Sequence, residues 1–281
     1  MTGSLWDAAT ARERADPDVV VLAEREPASF LRAVCLAWHR HAGLAFADEA
    51  APAALFAQRR VHEAEVSKEA FEEELPAKLL AFYRRCRRSA ALERRLFFAL
   101  RHGGADTAQV AGQGLADIRQ YGMRYVMNKA SDAGRALGSR ARQVMVELHR
   151  LKGLVRFVPL TVGDQELLVG RAETPHHVAD LLVVHFRERF GQYGIVLLVG
   201  DRAFVSGEAG EVVIDDAEPY RQVLARPFDR LRASDFERFW SAYYGSQAIP
   251  RRANARLRQQ RLPKKYWRWV RDATQFASDG S

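Results

Sequence analysis

Cysteine is scarce in this 281-residue chain: only Cys35 and Cys86 are present. Two thiols alone cannot hold a zinc or iron–sulfur site, which typically needs four ligands. Low cysteine use suits a reducing cytosol, so a cytoplasmic protein is expected. Each cysteine lies in an apolar, helix-spaced stretch, which points to buried structural thiols rather than reactive ones. No run of 18 apolar residues occurs, so no transmembrane helix and no membrane association are expected. Near the start, "ARERADPD" is too charged for the apolar part of a signal peptide. Three phosphate or hydrolase signatures are also missing: G-x-x-x-x-G-K-[ST], G-x-S-x-G and H-E-x-x-H. Their absence argues against a P-loop motor, an α/β-hydrolase and a zinc protease. "GEAG" at 207–210 reads as a glycine hairpin, not a dinucleotide fingerprint. No motif implies a cofactor.

One absence is local. "RRANARLRQQRLPKKYWRWVR", residues 251–271, holds nine Lys/Arg and not a single carboxylate. The whole chain has 43 basic and 35 acidic residues, a formal net charge of +8. Without this segment, 34 basic residues face 35 acidic ones. The net charge therefore sits in one stretch, an address for something anionic or a biased solvated face. A second basic region runs from Arg119 to Arg156, with nine Lys/Arg against Asp132 and Glu147.

The pattern of apolar residues sets the organisation. Residues 1–17 read as a loose leader. "DVVVLA" (Asp18–Ala23) is a buried-strand run, and Pro27 begins a helix-spaced stretch through Phe30, Leu31, Val34, Cys35 and Trp38. This makes a βα unit, with Gly43 as the helix stop. "APAALFAQRRV" leaves helix and strand open. Ser67 begins a helix that Pro76 must bend or divide. "SAALERRLFFALRHGG" is a helix closed by Gly103 and Gly104. Residues 107–151 are largely helical. At Gly153 the character changes. "LVRFVPL" and "ELLVGRA" form two strands around a turn. "TPHHVADLLVVHFRERF" forms a helix with Thr174 as cap, Pro175 at its first position and an inner stripe of Val178, Leu181, Leu182, His185 and Phe186. Three short strands with hairpin signals follow, then helices near 217–226 and 234–246. The fold expected is α+β. A helical N-terminal half (18–151) begins with the βα unit. The C-terminal half (152–275) has a small, mainly antiparallel sheet with flanking helices, and carries the basic tail 251–271.

Within "ELHRLKGLVRF", His149 and Lys152 are three residues apart on one helix face. Gly153 should end that helix, and a strand should then carry Arg156 outward. His, Lys and Arg would converge where helix meets strand, a set able to hold a phosphate, with His149 as donor or general base. His176 and His177 follow a Thr-Pro helix start. Adjacent helical residues point about 100° apart, so the pair suits anion contact or a buried hydrogen bond better than one metal. No third ligand has recognisable spacing, and no metal is expected. In the tail, Tyr266, Trp267 and Trp269 interleave with Lys264, Lys265, Arg268 and Arg271. Cations neutralise phosphates and flat rings stack on bases. Tyr266, Trp269 and Val270 also have helical spacing, so one aromatic face should dock on the core.

Three stretches, "ELHRLKGLVRF", "PHHVADLLVVHFRERF" and "FERFWSAYYGSQAIPRRANARLRQQRLPKKYW", occur in this order. Together they resemble the bacterial family labelled "probable DNA metabolism protein". The match covers about residues 145–271, with a weaker one reaching back to "DVVVLA". Family members look like H-[KR]-M-K-G-F-V-R-F, then an H-H helix start, then a terminal M-P-x-R-Y-W. Here Arg150 and Leu151 stand where Lys and Met are usual, Leu154 replaces an aromatic, and Ala255 stands where Pro often follows Asn254. The resemblance implies a DNA setting: repair or modification, beside a radical-SAM protein with a helix-hairpin-helix region, or fusion to uracil-DNA-glycosylase-like domains. It implies no reaction. The residues assigned to phosphate or nucleic acid are Lys152, Arg156, Arg252, Asn254, Lys264, Lys265 and Arg268. Tyr266 and Trp267 are assigned to stacking or anchoring, and His176 and Tyr244 are further candidates. The partner expected is single- or double-stranded DNA. Two alternatives stand beside this reading. One is an enzyme acting on DNA, with His149 or His177 as acid or base. The other is an interaction module that docks an acidic protein.

Overall fold

A computed structural model describes residues 19–48, 59–162, 165–207, 210–224 and 266. It is an α+β fold, as the sequence indicates. The chain divides into two compact units, Met1–Met145 and Val146–Ser281.

In the first unit the β-branched run forms β1 (Val19–Ala23), and α1 (Pro27–Arg40) follows it directly. Pro27 takes the first helical turn, where no backbone donor is missed. His41 ends the helix in the left-handed conformation, φ 55°, with its N–H on the Ala37 carbonyl. The stop is therefore His41. Gly43 instead starts β2 (Gly43–Phe46), and β3 (Arg59–His62) pairs on the other side of β1. Both pairings are parallel, in the order β2-β1-β3. The carboxyl ends of these strands, the usual ligand edge of a parallel sheet, are tied by side chains. Arg25 pairs with Asp48 at 2.8 Å, Arg32 with Glu63 at 3.0 Å, and His62 with Glu24 at 3.0 Å.

Helices complete this unit. A 3-10 turn (Glu63–Glu65) leads to α2 (Lys68–Glu74), capped by Ser67 Oγ, which accepts from Ala70 N. Pro76 divides α2 from α3 (Ala77–Arg87), as its missing donor requires. Ser89 caps α4 (Ala90–Ala99), which ends before the two glycines. Then come α5 (Thr107–Tyr121), α6 (Met123–Met127) and α7 (Asp132–Leu154). The core joins Phe30, Phe46, Phe71, Leu96, Leu115 and Ile118. Cys35 and Cys86 are buried in it, and burial pushes their thiols up to about 12 and about 11.

In the second unit β4 (Phe157–Val162) and β5 (Gln165–Ala172) form the expected hairpin. After them, α8 (Ala179–Arg189) makes the crossover to β6 (Gly194–Val199), which pairs parallel with β5. Hairpins add β7 (Arg202–Ser206) and β8 (Val212–Asp216), and α9 (Glu218–Leu224) follows. The order is β4-β5-β6-β7-β8. The four inner residues of β6, Ile195–Leu198, are all buried, which is why this strand reads as a continuous apolar run rather than an alternating one. The helix near 234–246 and the leader lie outside the described residues.

Candidate functional site

The junction motif sits on the last turns of α7. Glu147 and Leu151 are buried there at 3% and 0% exposure, followed by Val155 at 6%. That i, i+4, i+8 stripe turns His149 outward, and it is exposed. Lys152 is half-buried. Gly153 does not break the helix, which runs to Leu154. A single glycine costs about 1 kcal/mol against Ala, too little to stop a helix packed along its length.

Arg156 accordingly lies between helix and strand, not on the strand. Its guanidinium donates to the Gly153 carbonyl at 2.9 Å and the Val155 carbonyl at 3.4 Å. Carbonyls of a last helical turn lack intrahelical donors, and a cation beside them also meets the negative end of the helix dipole. Arg156 thus closes α7.

The histidine pair also differs from expectation. Thr174 Oγ1 accepts from the backbone N of His176 at 3.1 Å, so it stabilises a bend and does not cap α8. The helix begins at Ala179, two residues past His177. His176 is half-buried and His177 exposed in that bend.

What the fold does bring together is Lys152, His185 and Arg189. Half-burial lowers the His185 pKa from its ordinary value, the charges of Lys152 and Arg189 lower it further, and Glu188 opposes them. The ring of His185 lies edge-on to Phe186 at 5.3 Å. Phe186 also meets Phe157 at 4.7 Å, which fixes α8 on β4. Phe157 needs Gly170 opposite it on β5, since a Cβ there would come within 2.8 Å of the ring. The result is an imidazole whose neutral form is favoured, beside two cations, a set that attracts an anion. The sequence placed His185 on the inner stripe, but helical period alone does not show which charges face it.

In the tail, Tyr266 is the one described residue, and it is fully buried. Its hydroxyl donates to Glu147 Oε2 at 2.5 Å. Burial and the Glu147 carboxylate raise the Tyr266 pKa, against a smaller lowering by Arg150. A fully buried ring cannot stack on a base, so Tyr266 anchors. Glu147, which the sequence did not single out, is its partner. Arg252, Asn254, Tyr244, Lys264, Lys265, Trp267 and Arg268 lie outside the described residues. Among the described residues no group of three His, Cys, Asp or Glu could hold a metal ion. Nor is any helix of the described residues long and apolar enough to cross a membrane.

The junction, the α8 motif and the tail fall inside one family match, to a domain of unknown function, DUF4130, over residues 108–272. The chain belongs to this family. No curated protein and no solved structure matches it. The DUF4130 match begins inside α5, so it takes in part of the first unit as well as the second. It includes an exposed aromatic pair, Tyr121 and Tyr125, that the sequence reading passed over. The signal was available: two tyrosines at i, i+4 with Arg124 between them.

Proposed function

We propose that this chain is a cytoplasmic DNA-metabolism protein, acting in repair or modification, that binds nucleic acid through a basic surface. The observation that carries the reading is the anchoring of Tyr266. The segment 251–271 holds the excess positive charge of the whole chain. Within it, the Tyr266 ring is buried and bonded to Glu147 on α7. One turn further on, α7 carries Lys152, and α8 carries His185 and Arg189. A basic segment with Tyr266 anchored on α7, taken with the further cations of α7 and α8, suits a polyanion, because each phosphate neutralised releases counterions. The cations assigned to phosphate are Lys152, Lys264, Lys265, Arg252 and Arg268. The resemblance noted above adds a radical-SAM protein with a helix-hairpin-helix region as the working partner.

A second reading, an enzyme acting on DNA, draws on the Lys152–His185–Arg189 cluster. Within it His185 has charged neighbours that tune it, as an acid–base group requires. The third reading is docking of an acidic protein. A binding and product assay separates the three. Single- and double-stranded DNA are each offered to the chain, with and without the radical-SAM partner. Salt-dependent DNA binding is expected. A changed DNA product from the chain alone would favour the enzyme. Absence of DNA binding alongside binding of an acidic protein would overturn the reading.

A further inference from the structure

The first unit holds a surface pocket of about 350 Å³ where α5, α6 and the start of α7 meet. That volume is in the range of small-ligand sites. Its wall is a stripe along α5: Gln113, Asp117 and Tyr121, each four residues from the next. Gly122, at φ 91°, ends α5 in a conformation that a residue with Cβ rarely adopts, and lets α6 turn back. Tyr125 on α6 then meets Tyr121 with ring centroids 4.9 Å apart and planes at 43°. Both rings are exposed, at 56% and 38%. The opposite wall is the turn into α7. Its Ser131 hydroxyl accepts from Gly134 N at 3.0 Å, and Arg135 is occupied by the Lys129 and Ala130 carbonyls and by Asp132.

Asp117 decides what such a pocket would hold. It is only 8% exposed, yet it lines the pocket. Oδ1 accepts from Gln113 Nε2 at 3.0 Å. No described residue gives Oδ2 a hydrogen bond or an ion pair. That oxygen is not sealed from solvent, so a ligand donor entering the pocket can take the place of water on it. Outside the pocket, Arg124 and Lys129 are exposed, and no described residue pairs with either. Two exposed rings in tilted contact, with flanking cations, offer a platform for a base and its phosphates.

The donor edge selects the base. A carboxylate offers two acceptors side by side. Guanine presents two adjacent donors, N1–H and N2–H, on its Watson–Crick edge. In adenine and cytosine a ring-nitrogen acceptor stands beside the amine and would face the carboxylate's negative charge. Thymine has one N–H between two carbonyls. We propose that the pocket takes an unpaired guanine of single-stranded DNA, with its face on Tyr121 or Tyr125 and its donor edge on Asp117. This rests on the nucleic-acid reading above and adds to it a base preference.

The test uses the full chain and oligo(dT) of about ten nucleotides carrying one central dG, dA, dC or dT. The dG strand should bind roughly tenfold tighter than the other three, as for one good two-bond base contact. Asp117→Asn, which keeps one acceptor and introduces a donor, should remove that preference and leave binding to plain oligo(dT) near the wild-type value. Replacing Tyr121 and Tyr125 together by Ala should weaken all four strands, by roughly tenfold. Both variants are checked for an unchanged melting profile; if Asp117→Asn melts early, Asp117→Glu serves in its place and should lower the preference without abolishing it. Equal binding of all four strands by the wild type overturns the inference while leaving the DNA reading intact. So does a dG preference that survives in a folded Asp117→Asn. Binding of an arginine-containing peptide that depends on Asp117, with no base preference, would assign the pocket to a protein partner. Absence of binding to every strand overturns the inference, and the nucleic-acid reading then falls only if duplex DNA is not bound either.

Discussion

Burial changes what individual side chains can do. Tyr266 reads in the sequence as either stacker or anchor, and only its burial against Glu147 separates the two. A hydrogen bond to a charged group contributes about 1.5–3 kcal/mol, so Tyr266→Phe should lower unfolding free energy by about that much in a denaturant melt. The pH dependence follows from the raised Tyr266 pKa. Unfolded tyrosine ionises near pH 10, folded Tyr266 only above that. Its contribution is therefore complete below about pH 10 and is lost as pH rises toward the folded value. The stability difference between wild type and Tyr266→Phe should shrink above about pH 10. Melts of both proteins across the alkaline range check this; a difference that stays constant would contradict it. His185 gives the complementary case. With Lys152 replaced by Gln, one of the charges that lower its pKa is gone. Its titration, followed by NMR, should move up, toward the ordinary histidine value. An unmoved titration would mean that Lys152 does not face it.

At the level of elements, much was legible because local rules and tertiary packing agree. The strand–helix start at Val19 and Pro27, the Ser67 cap, the Pro76 division and the hairpins of the second sheet each follow from a local rule. Other elements were not legible. Strands β2 and β3 are only four residues each, and β3, "RRVH", has no apolar alternation; both exist because β1 offers parallel partners. Thr174 and Pro175 carry a helix-start signature, but the Thr174 oxygen is used on His176, three residues before the helix begins at Ala179. Gly153 looked like a stop because a glycine that breaks a helix and one that merely sits in it are the same letter. The two kinds of helical glycine make a direct comparison along α7. A Cβ on Gly134 would come within 2.8 Å of the Val126 carbonyl, so Gly134→Ala should destabilise by about 1–3 kcal/mol. A Cβ on Gly153 meets nothing within 4 Å, so Gly153→Ala should stabilise by about 0.5–1 kcal/mol. Thermal or urea melts of the two variants should shift in opposite directions. Shifts of the same sign would contradict the packing described for the start of α7.

For the molecule as a whole, charge was legible and its company was not. Nine cations without a carboxylate are visible in residues 251–271 by reading alone. That Lys152 shares its surroundings with His185, or that Asp117 lines one pocket with Tyr125 of the next helix, depends on which helix faces meet, and no spacing rule supplies that. The functional account rests on the cations acting together on a polyanion. Each phosphate neutralised releases counterions, and the logarithm of duplex affinity falls with the logarithm of salt by about 0.9 per contact. The direct measurement is therefore duplex binding across a salt series. It compares wild type with a variant carrying Lys264, Lys265 and Arg268 replaced by Gln, both confirmed folded. The account predicts a slope shallower by roughly 2–3 in the variant, with a similar loss for every DNA sequence tested. An unchanged slope in the folded variant would contradict it.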